Sequence, residues 1–306
     1  MIRLTRRALL AGTGAALVGA CTEGADIAGT KKQPKGGIGG TGIIGTLTDF
    51  GSLMVNGLRV SVPEDLMIET AMGNRPQSAL TVGQNLTIEA TTTENGLTAM
   101  RVRMMHPLIG ALEEESEDGR RLIVAGVPVR VEDGATIDQG PDRFVAVSGT
   151  WRGTEVVASR IAPASVGVGT SVAGTLRHNA QTLQSSIGAV PVALPKGINL
   201  ESGSFATAFG TMSDGVLQVA TIQGGRFTGA AGPLVALSVE GYFAPTPTAP
   251  FYTIDGLGHQ LSAGSALTGL LGNRALLTGS YNGRFVVRNG TVLPDSFSER
   301  RARLRA

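Results

Sequence analysis

The sequence predicts an all-β protein in which one small barrel is repeated four times, and three observations carry that expectation. A short opening phrase returns at Gly45 (GTL), Gly110 (GAL), Gly174 (GTL) and Gly241 (GYF), at intervals of 65, 64 and 67 residues. Asn-Gly or Asp-Gly pairs begin at positions 56, 95, 118, 133, 214, 255, 282 and 289. Between apolar runs such a pair signals a hairpin, because a type I′ turn needs positive φ at both central residues. Finally, Leu58, Val60 and Val62, and again Val127, Val129 and Val131, alternate with polar residues or proline. That is the period of a strand with one face buried.

The repeat unit is legible phrase by phrase. After the opening come VNGLRVSV, VAGVPVRV, IGAVPVAL and IDGLGHQL, then LTIEATT, FVAVSGTW, FATAFGTM and RALLTGSY. A glycine turn and one more apolar run close each unit. Each unit thus holds about five short strands, and closing the sheet into a small barrel removes edges that an open sheet of this size would expose. No stretch of helical period and length stands out between the first 20 residues and the last ten. Glycine, at 44 of 306 residues, and aromatics at 4% predict many turns and aliphatic cores.

In chain order, residues 1–20 read as a signal peptide. Thirteen uncharged residues, Ala8–Ala20, follow Arg3, Arg6 and Arg7. As a helix they reach about 20 Å, short of a ~30 Å hydrocarbon core, and match an export signal instead. Arg6-Arg7 before Ala8-Leu9-Leu10 resembles a twin-arginine signal. Val18-Gly19-Ala20-Cys21 resembles a lipobox, which implies lipid on Cys21, the single cysteine of the chain. The expected location is the bacterial cell envelope, lipid-anchored, on the periplasmic side or at the outer membrane. Residues 21–42 read as a Gly-rich tether. Four barrels follow, at 43–106, 107–165, 166–224 and, with a packed connector GGRFTGAAGPLVA at its start, 225–294. Residues 295–306 read as a basic tail, solvated or touching anionic lipid headgroups.

Phe50-Gly51-Ser52, Val55-Asn56-Gly57, Leu80-Thr81-Val82-Gly83-Gln84 and Ala99 before Val102 resemble the DUF5666 domain, as does the lead-in GGIGGTG at 36–42. The resemblance is densest in the first unit, thins through the second and third and is faint in the fourth. It implies small OB-like barrels on exported bacterial proteins, and carries no catalytic residues to transfer. The expected fold is therefore all-β, four tandem small OB-like barrels after a signal peptide and flexible linker.

Candidate chemistry is sparse. Gly37-x-Gly39-x-x-Gly42 spells a dinucleotide fingerprint, but a β hairpin follows where the motif requires a helix N-terminus. Met100, Met104, Met105 and His106, with Met54, Met67 and Met72, suit copper(I) by softness, and suit core packing equally by shape. Glu113–Asp118 lacks the ligand spacing of a calcium loop and reads as a hairpin tip. His106, His178 and His259 fall one to a unit without a shared position. A catalytic triad remains open only through space, in a cleft between barrels. The formal charge of +2 drops to −1 once Arg3, Arg6 and Arg7 are removed, and no basic stripe for nucleic acid is present. The expectation is a non-enzymatic envelope protein without cofactor or metal, binding the membrane through Cys21 and an unknown protein or polysaccharide. Copper handling and an inter-barrel enzyme are the alternatives.

Overall fold

A short run with one apolar face buries it by pairing with neighbours and curling until the edges meet. The computed structural model describes residues 39–138, 140–179, 181, 184–246, 251–258, 260–262 and 265–305, and in them this closure happens four times. The closing strands of barrel 1 are Gly40–Asp49, Leu53–Val55, Leu58–Ser61, Asn85–Thr93 and Gly96–Met105, and a short hairpin, Ile68–Thr70 with Gly73–Arg75, adds to the last of them. Those of barrel 2 are Leu108–Glu115, Arg121–Val124, Val127–Ile137, Phe144–Arg152 and Glu155–Pro163. Barrel 3 uses Thr170–His178, Ser185–Ile187, Val190–Ala193, Phe205–Ser213 and Val216–Gly224. Barrel 4 uses Leu234–Pro245, Phe251–Ile254, Gln260–Ser262, Arg274–Tyr281 and Phe285–Val292.

In barrel 1 the strands pair in the circuit one-two-three-five-four-one, all antiparallel except the parallel third and fifth. Barrels 2, 3 and 4 repeat that circuit and that single parallel pair. It is an OB-type Greek-key closure. The protein is all-β, and the only α-helix among the described residues is Phe297–Arg305.

The repeated opening glycine has a steric cause. A Cβ at Gly45 would stand 2.0 Å from Asn56 Oδ1, and at Gly110 2.8 Å from the Ala125 methyl. At Gly174 it would stand 2.9 Å from Trp151 Nε1, and at Gly241 2.2 Å from Ile254 Cγ2. In barrels 1 and 2 the obstacle is the turn between strands two and three, folded back onto strand one. Asn56 (φ 58°) and Gly57 (φ 71°) form it in barrel 1, Ala125 (φ 49°) and Gly126 (φ 73°) in barrel 2, both with the positive φ pair of type I′. A second signature is a register shift in strand four, at Glu89/Ala90, Ser148/Gly149, Phe209/Gly210 and Thr278/Gly279. Such a bulge bends the strand and helps a five-strand sheet close.

Two turn signals proved otherwise. Asp133-Gly134 and Asn289-Gly290 lie inside strands, not at hairpin tips. Gly134 (φ 76°) sits where strand three of barrel 2 shifts register, and a Cβ there would meet Ser298 of the helix at 2.8 Å. A Cβ at Gly290 would meet Leu270 of the Ser265–Leu270 turn at 2.5 Å. In both places glycine makes room for a packed element.

The barrels are joined edgewise in pairs. Strand one of barrel 1 runs parallel to strand one of barrel 4, from Gly40↔Leu234 to Ile44↔Val239. Strand one of barrel 2 pairs antiparallel with strand one of barrel 3, at Leu108↔Val172 and Ile109↔Ser171. The cores merge accordingly: barrels 2 and 3 share one cluster that includes Val147, Trp151, Val172 and Leu217, and Ile44 of barrel 1 belongs to the core of barrel 4.

Candidate functional site

Two clefts occupy the same place on adjacent barrels, over the loop between strands one and two and the faces of strands two and three. This is the face with which OB-type barrels take oligonucleotides and oligosaccharides. On barrel 1 the cleft measures about 570 Å³ and is lined by Phe50, Leu53, Ser61, Val62, Gln77 and Ser78, none of them charged. Phe50 is 49% exposed, held out by the turn that carries Gly51 at φ 108°. On barrel 2 the cleft measures about 510 Å³ and is lined by Glu114, Glu115, Arg121, Ile123, Arg130 and Glu155. Arg130 lies 3.7 Å from Glu155 and 3.9 Å from Asp295. The acidic run Glu113–Asp118 forms one wall and its turn, where Ser116 Oγ donates to Asp118 at 2.7 Å.

Behind these faces, where the barrels meet, lies a buried ion cluster. Glu132 of barrel 2, Glu240 and Arg274 of barrel 4, and Arg300 of the helix have side chains with no exposed surface. Arg274 pairs with Glu132 and, at 2.8 Å, with Glu240; Arg300 reaches Glu132 at 2.6 Å and Glu240 at 2.9 Å. Thr46 of barrel 1 donates its backbone N–H to Glu240 at 2.9 Å. Burial pushes the Glu240 carboxyl up, but Arg300, Arg274 and this N–H outweigh it and hold it below its ordinary value. The reading of 295–306 as a basic tail is therefore corrected. Arg300 is buried because two carboxylates neutralise it, Arg305 pairs with Asp49 at 2.6 Å, and Leu304 packs on Leu276 and Leu293.

The connector is anchored in the same way. Glu89 of barrel 1 accepts the backbone N–H groups of Thr228, Gly229 and Ala230 at 2.7–2.8 Å and pairs with Arg101 at 3.1 Å. Burial opposes its charge, yet these donors hold its pKa below the usual carboxylate range. Arg226 stacks on Phe205 of barrel 3 at 3.8 Å and donates to Gly256 O of barrel 4 at 2.9 Å.

The residues singled out in the sequence are dispersed. Arg6, Arg7, Cys21 and His259 lie outside the described residues. Gly39 precedes the first strand while Gly40 and Gly42 lie within it, so the strand begins inside the segment read as tether, and side chains at these three positions would collide with Val235, Ala231 and Leu237. Met104 is buried in the core of barrel 1, while Met105 faces the other way onto Ala173 and Phe205. Met72 packs beside Ile109 and Phe144 of barrel 2, and Met67 and Met100 are exposed. Among the described residues no group of three His, Cys, Asp or Glu is placed to hold a metal ion. His106 is buried with its Nδ1 unpartnered, and burial lowers its pKa to about 4. His178 is exposed; Nδ1 meets Ser185 Oγ at 2.9 Å, and Nε2 meets a backbone carbonyl, Leu200 O, at 2.9 Å, where a triad would place a carboxylate.

Glu132, Glu240 and Arg274 escaped the sequence reading; for Glu240 and Arg274 the one available signal is a lone charge inside an apolar phrase, LSVEGYF and RALLTGSY. Trp151 donates to Ala173 O of barrel 3 at 2.8 Å, and Cβ atoms at Gly188 and Gly256 would strike its ring at 2.3 and 2.4 Å. It is a wedge between three barrels. In comparisons with known proteins, no family model, curated protein or solved structure matches this chain.

Proposed function

We propose that the protein is a lipid-anchored, non-enzymatic envelope protein whose fused barrels hold a polysaccharide-binding face at a set position above the membrane. The observation that carries the reading is the uncharged cleft on barrel 1. An exposed aromatic ring, Phe50, stands there beside the hydroxyl and amide groups of Ser61, Gln77 and Ser78. A sugar ring offers apolar C–H faces with hydroxyls at its rim, and that lining complements both. The net acidic body argues against nucleic acid. Anchoring rests on the lipobox-like Val18–Cys21, and the resemblance to the DUF5666 domain fits an exported protein of this kind.

The test uses the full chain. Cys21→Ser is expected to move the protein from the membrane fraction to the soluble one; unchanged partitioning removes the anchor from the reading. Phe50→Ala is expected to weaken co-sedimentation with insoluble cell-wall polysaccharide at least about tenfold, as loss of a central aromatic contact does. Glu155→Ala, on the other cleft, serves as the control. Equal retention of Phe50→Ala and the parent chain ends the polysaccharide reading.

A further inference from the structure

The point at which all four barrels approach one another holds a small, partly open cavity of about 30 Å³. Asn85 and Met105 of barrel 1, Thr150 and Trp151 of barrel 2, Phe205 of barrel 3 and Arg226 of the connector line it. Three buried polar atoms on these residues have no hydrogen-bond partner: Asn85 Nδ2, Thr150 Oγ1 and Arg226 Nε. Each of them can donate a hydrogen bond.

Arg226 also lacks a counter-charge. Among the described residues no carboxylate lies within 4.0 Å of its guanidinium. Its other nitrogens meet only neutral acceptors, Thr87 Oγ1 at 3.4 Å and Gly256 O at 2.9 Å. Burial, with Arg103 adding repulsion, lowers its pKa to about 9, far below an ordinary arginine. The contact to Thr87 sets the guanidinium against the strand face that also carries Asn85, since residues two apart on a strand share a face. Two carboxylates border the cavity. Glu240 is already neutralised by Arg274 and Arg300, and Asp255 is pushed up by burial while it accepts the N–H of Gly153 at 2.9 Å.

From these observations we infer that the central cavity is a site for one small monatomic anion of the chloride class. The space holds about two water-sized bodies or a single such ion. An anion there accepts from the three unpaired donors and supplies the counter-charge that Arg226 lacks. Because the lining comes from every barrel, occupancy favours the assembled junction over the opened one.

The experiment compares the melting temperature of the full chain in sodium gluconate and sodium chloride at one ionic strength. Chloride is expected to raise it saturably, as a ligand of the folded state does. Thr150→Val is expected to raise the half-saturating chloride concentration several-fold, and Arg226→Gln to abolish the dependence. Crystals grown in bromide are expected to show an anomalous peak bordered by Arg226, Asn85 and Thr150. Equal melting in the two salts overturns the proposal, and so does a bromide crystal without that peak. The crystal and Thr150→Val decide the matter even where Arg226→Gln does not fold.

Discussion

Trp151 and His106 show how single side chains bear on this protein. The indole of Trp151 is 3% exposed, donates to the neighbouring barrel and faces glycines on two others. Trp151→Ala leaves a cavity that three barrels would have to close together. The expected cost is about 3–5 kcal/mol, read as a lower urea midpoint. His106 is buried without a partner for Nδ1, so burial alone holds its pKa at about 4 against the ordinary 6.5. The folded state therefore binds this proton less readily than the unfolded chain does. Stability is fully present above pH ~6.5 and falls as pH drops toward 4, by roughly 3 kcal/mol in all. Glu89, whose pKa is lowered, adds a further loss as pH falls below its unfolded value of 4.5. Urea titrations at pH 7, 5.5 and 4.5 check the slope, which His106→Asn should flatten above pH 5.

The helix Phe297–Arg305 is the element whose role differs most from its composition. Its arginines suggest a solvated or lipid-facing segment, yet Arg300 closes the ion cluster and Arg301 donates to Thr48 O of barrel 1 at 2.7 Å. Removing one member of a buried ion pair leaves its partner's charge uncompensated. Arg300→Ala is therefore expected to cost about 3–5 kcal/mol and to speed amide exchange in strand three of barrel 2, which holds Glu132. Arg303→Ala, whose guanidinium meets only Val292 O on the surface, should leave both measurements nearly unchanged. The first strands tell a similar story. Each closes its own barrel, and each also pairs with the first strand of another, so glycine and small residues there serve both jobs.

Taken whole, the barrels share cores and strand edges in pairs, and one ion cluster ties barrels 1, 2 and 4 to the helix. A barrel of five short strands is marginal alone, and here each has borrowed surface from its neighbours. Thermal unfolding is expected as a single transition whose van't Hoff and calorimetric enthalpies agree. Resolved transitions for separate barrels would contradict the coupling described above.

Period-two alternation, the glycine turns at 56–57 and 214–215, and the recurrence of one phrase near every 65 residues were enough to specify strands, barrels and their number. These signals are local: a turn needs its own positive φ, and a strand its own alternating faces. The same local rules misread Gly134 and Gly290, because a glycine demanded by a distant helix or turn looks like one demanded by a hairpin. Nothing local marks Glu132, Glu240, Arg274 and Arg300 as one cluster, for they come from four elements up to 168 residues apart. The pairing of barrel 1 with barrel 4 and of barrel 2 with barrel 3, the wedge at Trp151 and the central cavity follow from how outer barrel faces bury one another. That depends on side chains meeting across the whole chain, which the order of residues along it does not express.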